Sequence, residues 1–163
     1  MRNVTTFYTT FASPIGCLLL TSDGEALTGV HLLKEGERFE PGATWTESDM
    51  EPPLAEARRQ LESYFRGELR EFTLPLNPAG TDFQKRVWRE LGRIPWGTTI
   101  SYGELATRVG NPNASRAVGM ANGKNPIMII VPCHRVIGST GKLTGFSAGL
   151  SVKERLLKLE RDM

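Results

Sequence analysis

The chain has only two cysteines and two histidines, aromatic side chains at 8% of its 163 positions, and no apolar run approaching the length of a membrane span. Each shortage removes a class of answer. A spanning helix needs about 20 consecutive apolar residues, and the opening MRNVTTFYTTFASPIG lacks the charged start and apolar core of a secretory signal. A cytoplasmic protein with no membrane partner is therefore expected. Cys17 and Cys133 lie far apart in the chain, and thiols in that setting are expected to stay reduced. Cys17 with His31 offers two metal ligands, short of the three or four that zinc requires, so no metal site is expected. Internal repeats and low-complexity tracts are absent. What remains is an ordinary globular composition, 39% hydrophobic, enough for one sizeable domain or two small ones.

Against this background one stretch stands out. Pro132-Cys133-His134-Arg135-Val136 sets one of the two cysteines beside one of the two histidines, directly after the apolar run Ile127-Met128-Ile129-Ile130-Val131. A thiol attacks as its thiolate, and a histidine, an arginine or a helix N-terminus lowers the cost of forming that charge. Cys133 is thus either a nucleophile with a base at hand or a small buried hydrophobe ending a core strand, the usual fate of a free cysteine.

The net charge of +2 conceals two halves of opposite sign. Residues 1–78 carry 7 Lys+Arg against 12 Asp+Glu, a charge of −5, and residues 79–163 carry 13 against 6, a charge of +7. The basic half suits a polyanion, since each phosphate it neutralises releases condensed counterions. A solvated basic face with no partner has the same composition.

Along the first half, Val4 to Ala12, Cys17 to Thr21 and Ala26 to Leu33 are β-prone runs separated by turn residues, which predicts an antiparallel meander. Residues 34–51 are polar and predict a loop. From Pro53 to Phe65, apolar residues at helical spacing predict a helix stopped by Gly67. In the second half, Thr81 with Gln84 forms a capping box opening a helix closed by Ile94-Pro95-Trp96-Gly97. Ser101 with Glu104 opens a short helix to about Val109, and Gly110-Asn111-Pro112 breaks it. Asn113 is placed as the cap of a third helix from Ala114 to about Asn122, with Gly123 as its stop. Two short helices around a tight turn have the proportions of a helix-turn-helix. Ser151 with Glu154 predicts the opening of a last helix that turns Leu156, Leu157 and Leu159 inward and ends near Glu160. A glutamate there is either solvated or able to orient an imidazole.

The third helix carries Ala114, Ala117, Gly119 and Ala121, with Arg116 as its only long charged side chain. It has too few Arg, Asn, Gln or Lys to read many major-groove base edges. Its small residues suit either close approach to a narrow groove or tight packing on the core. An enzyme acting on a base must take it out of the stack, and a lone arginine suits the space left behind.

Together Asn125-Pro126, the apolar run, Pro132 to Ile137, Thr144-Gly145-Phe146-Ser147-Ala148-Gly149 and Leu157-Lys158-Leu159-Glu160 resemble the bacterial O6-alkylguanine-DNA alkyltransferases, or methylated-DNA--protein-cysteine methyltransferases. The resemblance is specific over residues 79–163 and weaker before them. It implies an α+β fold: a ribonuclease-H-like β-meander with a helix over residues 1–78, and a mostly helical DNA-binding and alkyl-transfer domain with a helix-turn-helix over residues 79–163. It implies that Cys133 accepts the alkyl group, that His134 is its base through a water, and that Glu160 orients His134. Asn125 would be the hinge between the helix-turn-helix and the active-site segment. Arg116 would fill the place of a flipped guanine, Tyr102 would turn the phosphate and bond the base, and Asn111, Ala114, Ala117 and Ser139 would also face DNA. Met128, Val136, Phe146 and Ser147 would line the base pocket, with Phe146 standing where many relatives have tyrosine.

The implied reaction is a single-turnover transfer from O6-alkylguanine, with O4-alkylthymine left open, in double-stranded DNA. It requires no cofactor and no metal, and implies a monomer whose cooperativity on DNA is left open. Three alternatives stand beside it: a non-catalytic lesion binder of the same fold, which would lack the acceptor cysteine; a helix-turn-helix regulator; and a cysteine hydrolase.

Overall fold

The computed structural model describes residues 5–37, 39–141, 146 and 148–163. The chain divides into two compact units, Met1–Ala79 and Gly80–Met163, and the architecture is α+β.

In the first unit β1 (Thr6–Ser13), β2 (Gly16–Ser22) and β3 (Leu27–Leu32) form an antiparallel meander, and β4 (Trp45–Glu47) joins β1 in parallel, giving the order β3-β2-β1-β4. The fourth strand corrects the expectation of a loop throughout 34–51. Three residues are too few to show an alternating pattern. What anchors them is aromatic packing, with Tyr8, Phe39 and Trp45 ring centroids 5.3 to 5.9 Å apart.

Helix α1 (Pro52–Phe65) lies against the meander. Its start is fixed by the Glu51 carboxylate, which accepts from Leu54 N and from Ser22 Oγ, each at 3.1 Å. Leu54, Ala57, Leu61 and Tyr64 recur every three or four residues and are fully buried with Leu18, Leu20 and Leu27 of the sheet. Gly67 ends the helix at φ 75°, with Gly67 N donating to Tyr64 O and Glu68 N to Ser63 O, the Schellman pattern that requires a left-handed residue.

The second unit is mostly helical. Helix α2 (Asp82–Leu91) opens on a reciprocal capping box: Gln84 N donates to Thr81 Oγ1 at 3.1 Å and Thr81 N to Gln84 Oε1 at 2.9 Å. Its Trp88 indole donates to Ala121 O at 2.8 Å inside the core. Helix α3 (Tyr102–Arg108) is capped by Ser101, whose hydroxyl accepts from Glu104 N at 3.1 Å. Helix α4 (Ser115–Gly123) packs on α2 and α3, which completes the helix-turn-helix arrangement.

Two expected caps are corrected. Asn113 does not cap α4. Its N–H donates to Asn111 Oδ1, Asn111 O accepts from Ala114 N, and the helix starts at Ser115 after an Ala114 that offers no side-chain oxygen. The turn is thus held by Asn111, the residue nearer the break. Nor does Ser151 open the last helix: α5 (Leu150–Asp162) follows Gly149 at φ 103° with no side-chain cap. Its buried stripe is Val152, Lys153, Leu156 and Glu160, with Leu157 and Leu159 only half-buried.

The apolar run also departs from expectation. Residues 127–131 turn rather than extend. Ile130 N donates to Met128 O at 2.9 Å across Ile129, whose φ of 73° is a strained γ-turn conformation for a β-branched residue. A second such bond, Cys133 N to Val131 O at 2.8 Å, spans Pro132, and a single 3₁₀ turn, Cys133–Arg135, follows. β6 (Val136–Ile137) then pairs in parallel with β5 (Ile100–Ser101), matching Ile100 to Val136 and Ser101 to Ile137.

Candidate active site

The 3₁₀ turn places three chemically active residues in the interior of the second unit, with Cys133 4%, His134 0% and Arg135 5% exposed. Helix α5 brings Glu160 to them. Its Oε2 lies 2.6 Å from His134 Nε2, and Arg135 grips both carboxylate oxygens, Nε donating to Oε1 at 2.8 Å and the second terminal nitrogen to Oε2 at 3.0 Å. Gly97 N donates to Oε1 at 3.4 Å, and the Arg135 first terminal nitrogen donates to Ile94 O at 2.5 Å. Burial pulls the Glu160 carboxyl upward, but the bonds and charges of His134 and Arg135 overcome it and hold the group at about 2. It is an anion at neutral pH.

That anion decides the histidine tautomer. A carboxylate can only accept, so Nε2 carries the proton and donates, which leaves the Nδ1 lone pair as the basic site. Nδ1 is buried without a hydrogen-bond partner among the described residues. Burial lowers the His134 pKa below 6.5 against the opposing pull of Glu160, so the ring is neutral at pH 7. Burial likewise pushes the Cys133 thiol up to about 11, against the pull of the Asn125 side chain and the Lys153 charge. The resting trio is therefore a neutral thiol, a neutral imidazole with its acceptor nitrogen unpaired, and a carboxylate behind it.

Asn125 organises the loop that carries the thiol. Its Nδ2 donates to Val131 O at 2.7 Å while Oδ1 accepts from Ile127 N at 3.0 Å, so one side chain closes both ends of the turn. From α4, Asn122 Nδ2 donates to Cys133 O at 3.4 Å. The β5–β6 pairing sets Tyr102, the first residue of α3, next to this region. A Cβ built on Gly119 would lie 3.6 Å from the Tyr102 ring, ordinary van der Waals contact, so α4 packs beside that ring.

Two family models cover this architecture. One, described as the 6-O-methylguanine DNA methyltransferase DNA binding domain, matches residues 82–162, and its ribonuclease-like partner domain matches residues 6–78. The methylated-DNA--protein-cysteine methyltransferase of Methanosarcina acetivorans is 55% identical over 154 residues, covering 94% of this chain and 97% of that protein. The chain belongs to the methylated-DNA--protein-cysteine methyltransferase family. The crystal structure of the Mycobacterium tuberculosis O6-methylguanine methyltransferase superposes with a TM-score of 0.87 at 50% identity, covering 97% of this chain and 94% of that one. A second structure of the mycobacterial protein, in complex with DNA, superposes with a TM-score of 0.86 at 50% identity, covering 96% and 93%.

Within this alkyltransferase fold the remaining candidate residues fall into two groups. Met128 and Val136 are buried on either side of Cys133 in sequence, and Phe146 is half-buried with its ring 5.9 Å from Lys153 Nζ. Ser147, with Thr144 and Gly145 of the same motif, lies outside the described residues. Asn111, Arg116 and Ala117 are exposed on the helix-turn-helix, Ala114 is half-buried there, and Ser139 is exposed on the turn after β6. The structure does not bring this second group into contact with the thiol.

Two residues take places that sequence reasoning missed. Arg135 was a candidate partner for the thiolate and is instead committed to Glu160. Lys153 had no role, although it shares a stripe with Leu156 and Glu160 at helical spacing, a pattern that pointed inward. No three His, Cys, Asp or Glu side chains converge as a metal site among the described residues.

Proposed function

We propose that the protein repairs duplex DNA by moving the alkyl group of O6-alkylguanine to its own Cys133, once per molecule, with the damaged nucleotide turned out of the helix. The observation that carries this is the His134 ring, fixed by Glu160 through Nε2 and offering an unpaired, buried Nδ1 next to a cysteine.

The Cys133 proton leaves for Nδ1 by way of a bridging water, since adjacent side chains diverge on the turn. The thiolate attacks the alkyl carbon in line, the S–C bond forms and the C–O6 bond breaks. The electron pair goes to the purine, and the Tyr102 hydroxyl supplies a proton to the ring so that guanine leaves neutral. The proton taken by His134 replaces it, so the net change is thiol to thioether and alkylguanine to guanine. A saturated carbon favours a soft, polarisable sulfur. A thioether has no carbonyl for water to attack, so no step regenerates the thiol.

Recognition is assigned to the other face. The basic second half supplies a surface for phosphates, and the exposed, small-residue face of α4 suits a minor groove. Arg116 is the long charged side chain there, and it is assigned to the gap left by a flipped base. In this reading the backbone oxygens of Cys133 and Val136 accept from the guanine amino group, Met128 and Phe146 flank the base, and the Ser147 backbone N–H is the donor to O6.

The test is a titration of duplex carrying O6-methylguanine with wild-type protein and Cys133→Ser, scoring guanine restored per mole of protein. One equivalent for wild type and none for the variant is expected. Repair beyond one equivalent, repair by Cys133→Ser, or lesion binding without repair overturns the proposal.

A further inference from the structure

Lys153 is fully buried, whereas lysine ordinarily keeps its ammonium in water. It sits on α5 two turns before Glu160, on the same inward stripe. Its Nζ donates to Val136 O at 2.6 Å and lies 5.9 Å from the Phe146 ring centroid, within cation–π range. Val136 in turn donates its N–H to Cys133 O, closing the cysteine's own turn. The ammonium is therefore docked on the residue that terminates the nucleophile's loop.

Among the described residues, the ionisable groups on the elements packed about the thiol are His134 and Arg135 on its own turn, Lys153 and Glu160 on α5, and Tyr102 at the start of α3. Arg135 is spent on Glu160 and the Ile94 carbonyl, and His134 is neutral at pH 7. Among the described residues, Lys153 is the cation whose charge acts on Cys133. Burial lowers the Lys153 pKa, and the cysteine's negative form opposes that shift, while the lysine draws the thiol down in return.

We propose that Lys153 is a positioning residue for the transfer: its buried ammonium, docked on Val136 O, is the positive charge that stabilises the Cys133 thiolate. His134 removes the proton, and Lys153 offsets the charge that remains in a site already holding the Glu160 anion. The same contact orients the Val136 carbonyl. The inference rests on the reading of Cys133 as the acceptor.

The test measures carboxamidomethylation of Cys133 by iodoacetamide as a function of pH, read by peptide mapping so that exposed Cys17 does not contribute. Iodoacetamide needs neither DNA nor lesion, so the outcome is separable from that of the repair titration. Lys153→Met removes the charge and the donor, Lys153→Gln keeps an N–H donor without the charge, and Lys153→Arg keeps the charge. Met and Gln are expected to move the alkylation profile to higher pH and to slow reaction near pH 8 by about tenfold or more, one decade for each pKa unit. Arg is expected to restore most of the rate. A wild-type pH profile for Lys153→Gln overturns the proposal, because Lys153 would then be only a hydrogen-bonding prop. If Lys153→Met fails to fold, the Gln and Arg variants decide.

Discussion

Replacing Glu160 by glutamine keeps the size of the side chain and removes the charge on which two functions converge. At neutral pH the carboxyl sits at about 2 against 4.5 for an unperturbed glutamate. At about 1.4 kcal/mol per decade, its charged form contributes about 3 kcal/mol of stability. The variant also strands the Arg135 guanidinium, 6% exposed, without its counterion, a loss in the same range of about 3–5 kcal/mol for one partner of a buried pair. Chemically, the glutamine amide can donate to His134 Nε2 and so stabilise the tautomer whose proton is on Nδ1, the nitrogen needed as base. General-base loss predicts a transfer rate lower by about 10² to 10⁴. Single-turnover quench-flow on O6-methylguanine duplex and urea unfolding measure the two effects on one sample. Adding Arg135→Met removes the stranded cation and is expected to recover stability but not rate. A Glu160→Gln protein that loses stability yet transfers at the wild-type rate would refute the reasoning, since Glu160 would then be purely structural.

Acid should unfold the second unit by a traceable route. The folded pKa values of His134 and Glu160 both lie below their unfolded ones, so their contribution is complete above about pH 6.5 and is lost as pH falls through the carboxylate range towards 2; urea midpoints against pH should show this slope flattened between 4.5 and 2 in Glu160→Gln. The acid limb of the transfer rate should lie below pH 6.5, and a limb above it would contradict a neutral buried His134. Arg116→Ala should slow transfer from duplex at least about tenfold more than transfer from the free alkylated base, a difference of the size of an unstacking cost; equal slowing would remove its flipping role. Gly67→Ala should cost about 1 kcal/mol by urea melt, because alanine resists φ 75°.

Signals confined to a few neighbouring residues were the legible ones. The meander, α1 with its Gly67 stop, and the Thr81 and Ser101 caps follow from local spacing and hydrogen-bonding geometry. The Asn113 and Ser151 caps failed where a residue further upstream, Asn111 or Gly149, had already turned the chain. β4 was invisible because it is held by Tyr8 and Phe39 from elsewhere in the unit. The run from Ile127 to Val131 has strand composition, but Asn125 bonds at both ends bend it through Ile129. Cys133-His134 could be singled out from adjacency alone. The family resemblance named Glu160 as the carboxylate behind His134, whereas where Arg135 points and why Lys153 is dry depend on α5 packing against the 3₁₀ turn, a contact no local pattern encodes.

The central claim is that Cys133 takes the alkyl group, and intact mass followed by peptide mapping after mixing with excess O6-methylguanine duplex tests it most directly. One added methyl group, located on Cys133 and not on Cys17, is the predicted result. An unmodified protein, or a methyl group on any other residue, would contradict it.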